Sequence, residues 1–600
     1  MKKHLLLSIA VIGGATQVAR ADFEDTIAGK THYTVEPVYD SVSPEHLTGF
    51  RERMLARQDG FGGAFQAVVF GGRTRKEADL GVWFYPCPNK CELVVSEGPL
   101  FDAAGVAVAT GGGASFITQT QDVLANHFDI RTVDGTFEST IRFRPTQSFV
   151  GGAFSWRQEL WTRANETQGL WFEAVLPVVH VKNRLGFSET VINDGGGANP
   201  DPAIIQGTVV QPNMSSAFTR AALCNGQTLD CCTSSCPSSC SPSCSPSCSS
   251  ICRDGNTRDC CFSSCESSCN SCPSSCSSLV CNSTCTPDCE TTALANAELL
   301  LWYDYVREER CRFGQCLGVV FPTSDDPDSP RTIWSPIAGS RHWGIEWGHS
   351  AAFEMFAGDE WAISAAFDYR TYYLFKRKEC RIFDLCGKPW SRYMRFHQSA
   401  AAAAAQDTTV APFVNGTFSP SAGSCFTTFA VDVHPRTRTE FNAGFAFDWR
   451  KFQGEIGYHL TARQSERIKF CCSDDAFSFG IAGGDVGFIT ANTQSNANIK
   501  MWDFCEISDD VDWTAIATTG DITTCADLDG TFRPITCGDI DLTTGAHTST
   551  ISHKVYGALS YRFDDMEYPL FINVGGAYTF SADNSSVTRW SVWGKIGLSI

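Results

Sequence analysis

Thr588-Arg589-Trp590-Ser591-Val592-Trp593-Gly594-Lys595-Ile596-Gly597-Leu598-Ser599-Ile600 closes the sequence. Trp590, Val592, Ile596, Leu598 and Ile600 fall on even positions, while Ser591, Lys595, Gly597 and Ser599 fall on odd ones. Side chains alternate across a strand, so this stretch predicts a β-strand with one apolar and one mostly polar face. A closed membrane barrel seals its last strand against its first, because no edge can be left open in lipid. The rest of the chain is therefore read for strands that agree.

Many do. Phe441, Ala443, Phe445, Phe447 and Trp449 meet Phe452, Gly454, Ile456, Tyr458 and Leu460 across Arg450-Lys451, with Glu440, Asn442, Asp448, Glu455 and His459 facing the other way. Trp343, Ile345, Trp347, Ala351, Phe353 and Met355 run into Ala357-Gly358-Asp359-Glu360, and Trp361, Ile363, Ala365, Phe367, Tyr369 and Tyr373 answer them, with His342, Glu346, Glu354, Asp368 and Arg370 opposite. The same period of two appears in Leu170 to Val181, Leu299 to Tyr305, Phe313 to Phe321, Ile551 to Phe563 and Leu570 to Phe580. Weaker alternation predicts strands at Phe61 to Gly71, Leu80 to Tyr85, Phe137 to Phe143 and Val150 to Trp156. The total is about 14 strands, within a range of 12 to 16, an even number being expected of a bacterial single-chain barrel.

Connections alternate between short and long. Counting back from the last strand puts 564–568, 450–451, 356–360 and 307–311 at one end, and 581–587, 464–550, 376–438 and 322–341 at the other. The expected fold is all-β: a transmembrane antiparallel barrel over residues 61–600, with short periplasmic turns and long extracellular loops. Residues 96–135 alternate poorly and are read as a plug or a periplasmic segment.

The N-terminus reads as a leader. Met1-Lys2-Lys3-His4 is basic, Leu5 to Ala15 is apolar, and Ala19-Arg20-Ala21 precedes Asp22, which predicts a signal peptide over 1–21 cleaved between Ala21 and Asp22. Residues 22–60 are polar and aperiodic and are read as a periplasmic extension. No apolar run of eighteen or more follows that could span a bilayer as a helix. The formal charge is −19, and removing Lys2, Lys3 and Arg20 takes it to about −22. With no basic patch to neutralise phosphates, a nucleic-acid partner is not expected.

The chain carries 29 Cys, which in an exported protein points to an oxidising compartment. Residues 224–289 hold seventeen of them, diluted by Ser and Pro, with Cys232, Cys236, Cys240, Cys244, Cys248 and Cys252 at every fourth position. Asp230-Cys231-Cys232-Thr233-Ser234-Ser235-Cys236 returns as Asp259-Cys260-Cys261-Phe262-Ser263-Ser264-Cys265, an internal duplication. Disulfide lacing of an external insertion, cross-linking to envelope neighbours and thiolate metal binding all use such spacing, and only Cys269-Asn270-Ser271-Cys272 has zinc-knuckle spacing. Cys87 and Cys91 are expected to close a small loop, and Cys232 to Cys252, Cys261, Cys265, Cys311, Cys380 and Cys386 are the other expected disulfide formers.

Together these features resemble the Gram-negative outer-membrane β-barrels, porin-like in size. The Gly318-Val319-Val320-Phe321-Pro322-Thr323 strand end is similar to one seen in some outer-membrane transporter barrels. The resemblance implies outer-membrane lipid and the barrel-assembly machinery as partners. Glu346, Asp368, Arg370, Glu440, Asp448, Glu455, His459, Lys554, Arg562 and Lys595 are the candidate lumen-lining residues of a cofactor-free channel passing small hydrophilic solutes. The alternative is a structural or adhesive surface protein anchored by its barrel, its Cys-rich loop disulfide-linked to envelope proteins or touching a host. No nucleophile elbow, metalloprotease His pair or phosphate-binding glycine loop is present, so catalysis is not expected.

Overall fold

In the computed structural model the final strand pairs on both sides, and twelve strands close into one antiparallel barrel. They are β1 (Gly63–Thr74), β2 (Thr146–Thr162), β3 (Gly169–Arg184), β4 (Ala297–Glu308), β5 (Cys311–Phe321), β6 (Gly344–Ala357), β7 (Trp361–Leu374), β8 (Arg436–Trp449), β9 (Phe452–Arg463), β10 (Thr550–Phe563), β11 (Leu570–Ser581) and β12 (Arg589–Ser599). Each pairs with its neighbours in the chain, and β12 returns to β1 from Ala64↔Ser599 to Thr74↔Arg589. Gly63 and Ile600 exchange both backbone hydrogen bonds at 2.8 Å. A thirteenth strand, Cys289–Leu294, stands outside the closure and extends the β4 pairing along β3 from Val178↔Leu294 to Asn183↔Cys289. The structure describes these strands and the segments around them. Residues 1–28, 34–36, 50–61, 76–81, 86–91, 97–122, 197–211, 224–288, 325–333, 397–420, 471–476 and 483–531, with shorter gaps elsewhere, lie outside the described residues.

Two of the expected fourteen strands are not in the barrel. Leu80 to Tyr85 reads as a strand, yet Val82–Phe84 is a 3₁₀ turn and Trp83, Phe84 and Tyr85 are all buried. Three consecutive buried side chains cannot share one face of a strand, and here they fill a core instead. Phe137 to Phe143 does contain a strand, Glu138–Arg142, but it belongs to a separate four-stranded sheet with Leu93–Ser96, Val123–Leu124 and Ser188–Asn193. Losing an adjacent pair of strands leaves the direction of every other strand unchanged. The long connections therefore still share one end of the barrel and the short turns the other.

The outward face is apolar with aromatic rims. Trp343, Tyr373, Phe375, Phe580 and Trp590 are exposed toward the long-loop end, and Trp161, Tyr305, Trp361, Trp449 and Phe452 toward the short-turn end. Between them Val69, Leu176, Leu301, Leu317, Ile456, Leu559 and Val574 stand exposed. At the short-turn end Arg450 adopts φ 55°, a left-handed conformation that costs a side chain energy. Its guanidinium donates to both oxygens of Glu360 at 2.9 Å, tying two neighbouring turns. Lys451 likewise pairs with Asp565.

At the other end the long connections pack into a cap. One core gathers Trp83, Phe84, Tyr85, Phe128, Phe143, Phe218, Trp390 and Tyr393, including the helix Met214–Leu223. A second gathers Phe383, Phe396, Val431, Val433, Phe479 and Ile535 around the sheet Arg377–Ile382, Thr428–His434 and Arg467–Lys469. Beneath them lies a buried ionic network. Glu379 accepts from Arg341 at 2.9 Å and Arg381 at 3.0 Å, and Arg381 reaches Glu466 at 3.2 Å. The described part of 96–135 joins the first core through Val123, Ala125, Phe128 and Ile130, so it belongs to the cap and not to the lumen.

Of the expected disulfide formers, Cys87, Cys91, Cys232, Cys236, Cys240, Cys244, Cys248, Cys252, Cys261 and Cys265 lie outside the described residues, as do Ala21 and Asp22. Cys380 is disulfide-bonded in the cap, as is Cys537, which the sequence reading did not single out. Cys311 and Cys386 carry thiols. Their Sγ atoms donate to Glu308 Oε2 and to the Gly538 carbonyl, each at 3.5 Å. Cys311 is the first residue of β5 at the short-turn end and Cys386 is in the cap, so the barrel separates these two from each other.

Candidate functional site: the barrel lumen

Alternation sends one residue in two of each strand inward, and twelve strands enclose more space than the side-chain-filled eight-strand case. A segment of the chain itself occupies that space. Gly29 and Lys30 donate backbone hydrogen bonds to Tyr85 and Trp83 of the cap, and Thr31 Oγ1 donates to the Ile382 carbonyl at 2.6 Å. Residues 37–49 then descend through the barrel. Arg589, near the long-loop end, donates to the Pro37 carbonyl at 3.3 Å, and Tyr39 stacks on Phe70 with centroids 5.1 Å apart. Asp40 lies 3.7 Å from Arg438, and Ser41 N–H donates to Glu298 at 3.1 Å. The short helix α1 (Pro44–Leu47) sets Glu45 on Ser591 and near Lys554, and His46 on Glu173. Lower still, Thr48 donates to Asn573 Oδ1 at 3.3 Å and Gly49 N–H to Glu455 at 3.2 Å. The segment thus touches β1, β3, β4, β8, β9, β10, β11 and β12.

His46 is the most connected of these residues. With Nε2–H donating to Glu173 at 3.0 Å, Nδ1 accepts from Tyr39 O–H at 3.0 Å and from Gln66 Nε2 at 3.2 Å. Glu173 also accepts from Arg157 at 2.9 Å and from Trp302 Nε1 at 2.7 Å. Charge-assisted bonds to one carboxylate are the strong kind, and here they fix wall and segment together.

The wall opposite β12 carries arginines against aromatic faces. Arg307 and Arg312 lie over Trp171 at 5.1 and 5.5 Å, Arg157 and Arg370 over Trp302 at 5.3 and 4.3 Å, and Arg438 over Tyr372 at 4.1 Å. Carboxylates of the same wall neutralise them: Asp304 meets Arg312 at 2.6 Å and Glu440 meets Arg438 at 2.9 Å. A cavity of about 40 Å³ remains between segment and wall, lined in part by Ser41, His46, Arg157, Trp302, Asp304 and Asp368. That is room for water and not for a solute.

Glu346, Asp368, Arg370, Glu440, Asp448, Glu455, His459, Lys554 and Lys595 all point inward and are buried, and Arg562 is half-buried near the short-turn rim. They do not form one cluster. Glu346 and Arg370 pair at 3.8 Å, Glu440 and His459 at 3.4 Å, and Asp448 and Arg562 at 4.0 Å, while Glu455, Lys554 and Lys595 meet the segment. The sequence reading did not find Asp40, Glu45 and His46. Ser43-Pro44-Glu45 carries a helix-start signal, but nothing in it marks a lumen.

No family model and no curated protein matches the sequence. Among solved structures, it is similar to an outer membrane channel from Pseudomonas putida F1, at 8% identity over 90% of this chain and 96% of that one, with a TM-score of 0.30. It is also similar to the transport unit of the autotransporter AIDA-I from Escherichia coli, at 5% identity over 92% of each chain and a TM-score of 0.28. The Ralstonia pickettii toluene transporter TbuX gives 8% identity over 97% of each chain and a TM-score of 0.26. At scores this low, the functional reading rests on the barrel's own geometry.

Proposed function

We propose that the protein is an outer-membrane channel of a Gram-negative bacterium, with the cap outside, passing small hydrophilic solutes by diffusion once residues 37–49 leave the lumen. The observation that carries this is the division of faces. Outside, an aliphatic band lies between aromatic rims, as suits a lipid bilayer; inside, charged and hydroxyl side chains, together with a cluster of strand residues that includes Phe70, Trp171, Trp302, Phe571 and Trp593, surround a separate piece of chain, residues 37–49. The reading includes no cofactor and no catalytic step, and it keeps the barrel-assembly machinery as a partner in biogenesis.

The packed lumen also favours a second reading, a structural or adhesive anchor whose cysteine-rich insertion is disulfide-linked to envelope neighbours. Planar-bilayer recording separates the two. The full chain is expected to open rarely, and a variant lacking residues 38–48 to conduct steadily while keeping heat-modifiable gel migration. A heat-modifiable variant that never conducts would overturn the channel reading and leave the anchor.

A further inference from the structure

The three strands nearest the seal differ from the rest of the wall. The inward positions of β10 are Ser552, Lys554, Tyr556, Ala558, Ser560 and Arg562; those of β11 are Phe571, Asn573, Gly575, Ala577 and Thr579; those of β12 are Arg589, Ser591, Trp593, Lys595, Gly597 and Ser599. Four cations stand there with no carboxylate from their own strands.

The pairing register arranges them in rows. Lys554 is opposite Thr579, which is opposite Arg589, so two cations flank a hydroxyl at one level. Below, Lys595 is opposite Asn573, which is opposite Ser560. Neighbouring strands lie about 4.8 Å apart, so Lys554 and Arg589 are separated by about 10 Å at the backbone, a gap two long side chains can close around a small ion. Elsewhere the wall's cations meet carboxylates of the wall itself, as with Arg157 and Glu173, Arg312 and Asp304, and Arg438 and Glu440. Glu455 on β9 is taken by the Gly49 N–H, and Arg562 is drawn toward Asp448.

On this cationic face the segment presents acceptors. Glu45 Oε1 accepts from Ser591 Oγ at 2.9 Å while its Oε2 lies 3.6 Å from Lys554. The His46 carbonyl accepts from Lys595 at 2.9 Å, and the Pro37 carbonyl from Arg589 at 3.3 Å. A carboxylate held by an ammonium and a hydroxyl, with further cations above and below, is how a small oxyanion would be held.

We propose that the β10–β12 face is an oxyanion site, that Glu45 occupies it as an internal ligand in the closed channel, and that the open channel prefers anions. Small carboxylates and inorganic phosphate share the required chemistry. The inference rests on the channel reading given above.

The test is the reversal potential of the variant lacking residues 38–48 across a potassium chloride gradient, with heat-modifiable migration as the folding check. The potential is expected to shift toward the chloride equilibrium value, and K554E with K595E in the same background to reverse that shift. In the full chain, E45Q is expected to raise the opening frequency, and millimolar inorganic phosphate to raise that of the unsubstituted chain more than sodium chloride of equal ionic strength. Acetate in place of phosphate asks whether a carboxylate serves equally. Conduction that prefers potassium or shows no preference would overturn the oxyanion site while leaving the channel. Absence of conduction in every folded variant, E45Q included, would overturn both. Should the deletion variant fail to fold, E45Q and its K554E derivative carry the same comparison, and equal reversal potentials in the two would overturn the site.

Discussion

The barrel and the cap are inside-out relative to each other. The barrel turns Val69, Ile456 and Leu559 outward and keeps Glu173, Arg370 and Lys595 within, whereas the cap buries Trp83, Phe128 and Trp390 among other rings. Aliphatic side chains thus cover the outside of the barrel, while in the cap the apolar rings lie inside. Backbone ladders close the barrel whatever fills it, while the cap depends on aromatic packing over an ionic base. The two halves should therefore respond differently to similar changes.

The largest difference is expected at Trp390. Its ring is fully buried, edge-on to Phe218 at 5.5 Å and to Tyr393 at 5.7 Å, and its Nε1 donates to the Phe84 carbonyl at 2.7 Å. Trp390→Ala removes that packing and leaves a buried acceptor unsatisfied, a loss of about 3–5 kcal/mol. Limited proteolysis should cut the cap of this variant readily while the barrel keeps its heat-modifiable migration. Loss of both together would show that the halves fold as one unit.

A smaller contrast pairs two exposed aliphatic residues. Leu559 on β10 is 67% exposed and Ile192 in the cap sheet is 59% exposed. If the barrel stands in lipid, Leu559→Arg should cost about 2–4 kcal/mol, depending on its depth. Ile192→Arg, in water, should stay within about 0.5 kcal/mol. Urea titration of the two variants refolded into lipid vesicles measures both, and equal small costs would argue against a lipid-facing β10.

What was legible in the sequence follows the same division. Period-two alternation marks each barrel strand because one face meets an apolar surround and the other a polar lumen, so it also gives the inward side of Glu346, Lys554 and Lys595. It misled at Leu80 to Tyr85 and Phe137 to Phe143, where Trp83, Phe84, Tyr85, Phe137, Ile141 and Phe143 face a protein core, and short apolar runs look alike whether lipid or rings cover them. The lumen segment was not legible at all. Pro37 to Gly49 has no period, and its bonds reach residues as remote as Glu173, Glu298, Glu455 and Asn573, contacts that only barrel closure brings together.

The smallest expected effect is a pH dependence confined to the cap. Burial, aided by the Arg463 guanidinium, pushes the His547 imidazole down to about 3, and burial beside Arg381 also holds His32 well below its ordinary value. A group with a depressed folded pKa stabilises above its unfolded value, so this contribution is intact above about 6.5 and is lost as pH falls. For His547 the loss is about 1.4 kcal/mol per pH unit until its folded value is reached. Burial alone would raise Glu379 and Glu466, but the Arg381 guanidinium, with Arg341 on the first and Arg463 on the second, holds both below the usual carboxylate range. Their contribution is lost in the same direction, beginning below about 4.5. Protease susceptibility of the cap should therefore rise between pH 7 and pH 5.5 with barrel migration unchanged. His547→Gln should flatten the part of that rise due to this imidazole, because a neutral amide has no proton to gain. An unchanged slope in that variant would assign the dependence to His32.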